Sequence, residues 1–476
     1  MNRVFTVFLF ASIFTGGVFA QSRRVAPTAP NPANMTAAAA NDISAKELFE
    51  EANAYSKKKF AEFESKKIPF NDNLLKFTYK EQKQLAAKNA AIVATRANLS
   101  GEDVYYLGML NWLADNSENA AASFQKYLAS ENPLAEKAQT ARSIIIVVSA
   151  RNKNFDEAEK LLGEYLKNDP IKLTERARME SELAKSYRAE KNYLKAASHA
   201  EESYRATKAV FQDSASRANG IDQLLDTGMT VYEIYRADGK QKEAENTLDD
   251  LRKTAAFVGS SALYYTAVDE NIKYLIATNR KPLALQMYSN TLVESVKDFA
   301  AKPLQEDVKE RLKRREKHYK LMGEFAPELA SIDQWFPGQP QTLSNMRGKV
   351  ILLDFWATWC GPCLAAFPSL TEWHETFQKD GLEILGVTKY TGEAEGFSVD
   401  KPTEIEFLKR FRKAHRLPYN FVVAKDNTNQ TAYGAGSIPT TVLIDRKGIV
   451  RYVETGTSRS REEEIRQEIE KLLAEK

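Results

Sequence analysis

Cys360 and Cys363 flank Gly361-Pro362 and are the two cysteines of a 476-residue chain. Thiols at this spacing can close on one another as a disulfide, so the pair can hold or release two electrons in exchange with another disulfide. The same spacing would supply half of a zinc site, but a closed structural site takes four ligands. The four histidines (His199, His318, His374, His415) are scattered. No metal and no other cofactor is therefore expected. Both cysteines sit in one motif, so none is left for a structural disulfide framework.

The flanking sequence supplies the elements that must position these sulfurs. Val350-Ile-Leu-Leu-Asp-Phe355 is a continuous apolar run interrupted by one acid, the signature of a central strand covered on both faces. A short Trp356–Trp359 link leads to the cysteines, and Pro362 to Phe377 reads as a helix. Pro362 falls in its first turn, where a missing N–H costs nothing. The thiol of Cys360 then meets unpaired backbone N–H groups and the positive end of the helix dipole, which stabilise a thiolate. Cys363 lies on the same helical face and deeper, so one exposed and one sheltered sulfur are expected. Asp354 must either be buried, which raises its pKa and lets it exchange a proton with Cys363, or lie on a solvated edge.

Further strands are expected at Leu382–Thr388, Asn420–Ala424, Thr440–Ile444 and Ile449–Val453, with helices at Pro402–His415 and Ser460–Leu473. Strand–helix alternation followed by a hairpin and a last helix suits a mixed sheet packed on both faces.

Leu353-Asp-Phe-Trp-Ala-Thr-Trp-Cys-Gly-Pro-Cys363 resembles the active-site segment of thioredoxins. With Leu343-Ser-Asn-Met-Arg-Gly-Lys-Val-Ile351 and Gly436-Ser-Ile-Pro-Thr-Thr-Val-Leu-Ile-Asp445, residues 325–476 resemble the exported TlpA/ResA-like thiol–disulfide oxidoreductases. The resemblance implies an α/β thioredoxin-like fold. It makes Cys360 the attacking cysteine and Cys363 the resolving one, with Asp354 as buried proton acceptor. Pro439 becomes a cis-proline beside the cysteines, with Trp359, Gly361, Pro362 and Ile438 as the surface a client meets. Trp356 is expected in the core. Implied partners are proteins with disulfides and a thiol reductant, its donor unidentified. One departure stands out: many relatives carry a glutamate three residues after the second cysteine, where this chain has Ala366. Gly-Pro between the cysteines is of the reducing kind.

Residues 43–322 have a different grammar, with scarce prolines and apolar residues at three- and four-residue spacing, as in amphipathic helices. Five segments superpose on Ala120, Ala158, Ala196, Ala244 and Ala284, each preceded by a further helical stretch. A small residue at a fixed point allows two helices to approach, and larger neighbours such as Phe124 and Leu162 fill the groove. With Gly108, Ala120, Phe124 and Pro133 near its spacing, the pattern resembles the tetratricopeptide repeat, although the units are longer. An all-α domain of helical hairpins is expected, as a repeat or as an irregular bundle, to bind clients or a protein partner. Asp307–Lys320 is strongly basic and reads as a solvated helix face closing that domain.

Residues 1–20 combine Arg3, an apolar stretch and Val18-Phe19-Ala20, the form of a signal peptide, or of an anchor if uncleaved. Residues 21–42 are Pro-, Ala- and Asn-rich, a flexible tether. The formal net charge of +3 gives no argument for nucleic acid. The reading is thus an exported, periplasmic oxidoreductase with a helical-repeat domain. Its rivals are a repeat scaffold whose thioredoxin-like domain docks or senses redox state, and a thiol peroxidase, which the C-G-P-C placement disfavours.

Overall fold

The protein is described by a computed structural model over residues 43–211 and 220–475. The expected signal peptide and tether lie outside the described residues.

Thirteen helices precede the first strand among the described residues: α1 (Ala45–Ser65), α2 (Asp72–Ala94), α3 (Gly101–Leu113), α4 (Ser117–Leu128), α5 (Ala135–Arg151), α6 (Phe155–Lys167), α7 (Leu173–Ala189), α8 (Tyr193–Val210), α9 (Ile221–Ala237), α10 (Gln241–Val258), α11 (Ser261–Ala277), α12 (Lys281–Asp298) and α13 (Lys302–Leu321). No described helix is long and apolar enough to cross a membrane.

The hairpins repeat in their turns as well as in their alanines. Asp115, Lys153, Lys191, Gly239 and Asn279 all adopt positive φ. The next residue in each case donates its N–H to the carbonyl five residues back, as in Asn116 to Asn111, Asn154 to Ser149 and Asn192 to Tyr187. This is the Schellman closure, in which one left-handed residue satisfies the last carbonyls of a helix. Four residues beyond each closure comes the repeated alanine, and all five are fully buried. The interval from turn to buried alanine is the same in all five hairpins.

Gly108 shows how tight one contact is. A Cβ there would lie 2.7 Å from the Phe124 ring, and that ring is itself fully buried against Tyr105. Gly108→Val should therefore destabilise the helical region by roughly 1–3 kcal/mol through overpacking, read as a lower urea midpoint. An unchanged midpoint would mean that Phe124 yields freely.

Contacts divide the chain into two compact units, residues 1–247 and 248–476, and the division falls within α10. By contacts, α11 to α13 therefore cluster with the residues that follow them.

In the second unit a six-stranded mixed sheet runs β1-β6-β3-β2-β7-β8, from β1 (Ile332–Phe336), β2 (Val350–Phe355), β3 (Leu382–Lys389), β6 (Asn420–Ala424), β7 (Thr440–Ile444) and β8 (Val450–Thr455). β4 (Glu393–Ala394) and β5 (Phe397–Ser398) form a separate small hairpin. The central pairs β2–β3 and β3–β6 are parallel, whereas β2–β7, β7–β8 and β1–β6 are antiparallel. The accompanying helices are α14 (Gly361–Phe377), α15 (Lys401–Ala414), α16 (Thr428–Tyr433) and α17 (Arg459–Ala474). Every residue of β2 is buried, as a strand covered on both faces requires.

The outer edge of β8 is capped. Gly323 donates to the Val450 carbonyl, Val450 donates to the Glu324 carbonyl, and Arg315 of α13 donates to the Val453 carbonyl at 3.1 Å. These bonds cover part of the edge that the sheet leaves open there.

Candidate active site

β2 delivers the chain to the site. After Phe355, the Trp356 N–H bonds to the Val387 carbonyl of β3, and the link turns so that Cys360 becomes the N-cap of α14. Its sulfur accepts the Cys363 N–H at 3.2 Å, taking up one of the donors that a helix start leaves unpaired. Pro362 occupies the first turn. Cys360 and Cys363 are joined as a disulfide with Cα atoms 5.2 Å apart.

Both sulfurs are sheltered. Cys363 is fully buried, and Cys360 is only 4% exposed, against the expectation of an exposed first thiol. The exposed position at the mouth goes to Trp359, 67% exposed. Trp356 is buried, stacked on Phe411 with its edge to Phe367 and Phe421. Gly386 makes room for it, since a Cβ there would lie 2.8 Å from the indole nitrogen.

The Ile438–Pro439 peptide bond is cis. Pro439 immediately precedes Thr440, which pairs with Phe355 at the end of β2, so topology carries this loop to the cysteine end of the sheet. Ile438 packs against the core cluster that contains both cysteines. Between Trp359 and Ile438 opens a cleft of about 500 Å³, lined also by Trp356, Lys389, Gln430 and Gly434. Lys389, at the end of β3, forms part of this wall.

Asp354 is 2% exposed. Strand alternation places it on the face of β2 that carries Val350 and Leu352, both members of the cysteine cluster. Its Oδ2 has no hydrogen-bond partner among the described residues, and burial pushes its pKa up to about 7. A carboxyl poised there can give or take a proton at neutral pH. Gly361 and Pro362 lie exposed at the helix start.

Three residues enter the site that sequence reasoning missed. Tyr419 is buried, its hydroxyl has no partner among the described residues, and burial with the neighbouring Asp354 charge raises its pKa. A tyrosine just before an apolar strand signals only core. Gln430, with a buried unpartnered Oε1, faces the cleft from α16, a helix too short to show periodicity. His318 belongs to the basic run read as solvated. That reading fails at Arg315 and His318, which are 7% and 2% exposed. Asp269 and Glu454, remote in sequence, neutralise Arg315 at 3.2 and 2.9 Å. Burial pushes the Glu454 pKa up, but Lys273, Arg315 and Arg461 together bring it down to about 2.

A disulfide that caps the first helix after a central strand, beside a cis-proline loop, defines a thioredoxin-like thiol–disulfide oxidoreductase. Comparison with known sequences agrees. The AhpC/TSA family matches residues 322–453. "Thiol-disulfide oxidoreductase ResA" of Geobacillus thermodenitrificans is 36% identical over 157 residues, 33% of this chain and 81% of the relative. "Thiol-disulfide oxidoreductase ResA" of Bacillus subtilis is 32% identical, over 28% of this chain and 68% of its own length. A solved structure, a putative thiol:disulfide interchange protein DsbE from Chlorobium tepidum, is 29% identical with a TM-score of 0.26, covering 32% of this chain and 98% of that one. Through its C-terminal third this chain belongs to the ResA-like thiol–disulfide oxidoreductases.

Proposed function

We propose that the chain is an exported reductant of protein disulfides. The observation that carries this reading is the Cys360–Cys363 disulfide at the N-terminus of α14. In the reduced protein the Cys360 thiolate attacks a client disulfide. A mixed disulfide forms and one client sulfur leaves as a thiolate. Cys363, giving its proton to Asp354, then attacks the Cys360 sulfur. The client departs with two electrons and the Cys360–Cys363 disulfide is left. An external dithiol must return two electrons and two protons to begin again. Pro439 and Ile438 supply backbone beside which a client strand lies, and Trp359, Gly361 and Pro362 form the contact surface. The glutamate missing at Ala366 leaves Asp354 as the acid–base group. Export is supported by the signal-like residues 1–20. The repeat hairpins, as an extended surface, select or position the client.

Direction is tested by the reduction potential, measured by equilibrating the protein with defined thiol–disulfide buffers. The Gly-Pro motif predicts a value near thioredoxin's, about −270 mV. A value near about −120 mV, that of a strong oxidant, would reverse the assignment.

A further inference from the structure

Helix α13 touches a residue of the cleft wall, Gly434, through His318. His318 Nε2 lies 2.9 Å from the carbonyl oxygen of Gly434, and its Nδ1 lies 3.0 Å from an Arg315 guanidinium nitrogen. Both partners fix the tautomer. Arg315 can only donate, so Nδ1 accepts; a carbonyl can only accept, so Nε2 carries the proton. The ring is therefore neutral, in keeping with burial and the Arg315 charge, which lower its pKa to about 4.

Arg315 is itself immobilised. It bonds Asp269 of α11 at 3.2 Å, the Val453 carbonyl at 3.1 Å and Glu454 of β8 at 2.9 Å. An imidazole anchored on one nitrogen by a guanidinium with this many partners has one orientation, and its other nitrogen fixes whatever it touches.

It touches Gly434, which ends α16 in the left-handed region at φ +68. A Cβ there would lie 2.9 Å from the His318 ring, so both the backbone angle and the close approach call for glycine. From Gly434 the chain runs through Gly436 and Ile438, both on the cleft wall, to cis-Pro439. The far end of the loop is tied to β8, where the Gly456 N–H meets the Pro439 carbonyl at 2.7 Å. The near end is tied to the helical region by His318.

We propose that His318 is a positioning residue for disulfide exchange: it holds the Gly434 carbonyl, and with it the Gly434–Pro439 loop, in the conformation that receives a client chain. This rests on the reading of the cleft as the client site. The last helix before the strands thereby acts on the groove indirectly, through the Gly434 carbonyl.

The test compares full-length wild type with His318→Leu, which loses both hydrogen bonds, and His318→Gln, whose amide can donate to Gly434 and accept from Arg315. Backbone hydrogen exchange at residues 434–438 is read against that of β2. KM and kcat are measured with a synthetic cystine-bridged decapeptide and dithiothreitol as the reductant. In His318→Leu, loop exchange should quicken by about tenfold with β2 unchanged. KM should rise about tenfold while kcat stays within roughly threefold. His318→Gln should restore both. Gly434→Ala should raise KM in the same way from the loop side. Wild-type loop exchange and KM in His318→Leu would overturn the proposal, and so would equal acceleration in the loop and β2, which marks a merely structural role. Should wild type fail to reduce the peptide, the reductase reading falls, while the exchange arm still decides whether His318 holds the loop.

Discussion

Cys360→Ser should abolish catalytic disulfide reduction, with a loss of roughly 10³-fold or more in turnover. The reacting species is a thiolate, and a serine hydroxyl at the same helix cap stays protonated near neutral pH. No other sulfur can substitute, because the sequence holds two cysteines and Cys363 is fully buried. The measurement is dithiothreitol-driven reduction of a peptide disulfide, alongside a melting curve to establish folding. Retention of more than about a tenth of wild-type turnover would place the nucleophile elsewhere.

The second large effect is the pH dependence that Asp354 imposes on stability. An aspartate of ordinary pKa near 3.8 that rises to about 7 on folding is protonated in the native state and ionised in the unfolded chain across that interval. The native state then binds the extra proton, so stability falls as pH rises. The contribution is fully present below about pH 4, declines toward pH 7 and is flat above it. Some three pK units correspond to about 4 kcal/mol. Asp354→Asn should remove this slope: the difference in unfolding free energy between variant and wild type should shift in the variant's favour by about 2–4 kcal/mol between pH 4 and pH 8. Denaturant titrations at those two values measure it. A pH-independent difference would mean that Asp354 is ionised in the fold. The same substitution removes the proton acceptor for Cys363, so release of the mixed disulfide should slow by roughly 10²-fold or more at pH 7.

The elements around the chemistry were legible because their signals are local. β2, β6 and β7 fall at the expected ranges, since a strand covered on both faces reads as a short, mostly apolar run. α14 was legible from Pro362 and the apolar positions behind it. The buried alanines of the hairpins could be read because close helix approach imposes a small residue at a constant offset. β1 could not be read: Ile332–Phe336 is a short edge strand with every residue half-buried, so it shows neither alternation nor a continuous apolar run. α16 and the β4–β5 hairpin were too short to carry periodicity.

At the site itself the limit was tertiary charge pairing. Asp354 could be placed in the interior because apolar residues surround it in sequence. Arg315 and His318 sit in a run of lysines and arginines that looks solvated from within the helix. Their burial depends on Asp269 and Glu454, which lie 46 and 139 residues from Arg315. Losing one partner of such a buried pair costs about 3–5 kcal/mol, because the charge left behind is buried without compensation. Local sequence contains no trace of that pairing. The burial of Cys360 was also beyond reach, since helix position alone does not fix how neighbouring loops cover a residue at a helix start.

The central claim, that Cys360 exchanges disulfides with client proteins, is tested most directly by trapping. Cys363→Ala is expressed in the native envelope with a Cys360→Ser control, free thiols are blocked at harvest, and the proteins are separated without reductant. The mechanism predicts adducts that collapse on reduction and occur only where Cys360 is present, because loss of the resolving sulfur stalls the mixed disulfide. A folded, exported Cys363→Ala protein that forms no adduct, or forms the same adducts as the Cys360→Ser control, would contradict it.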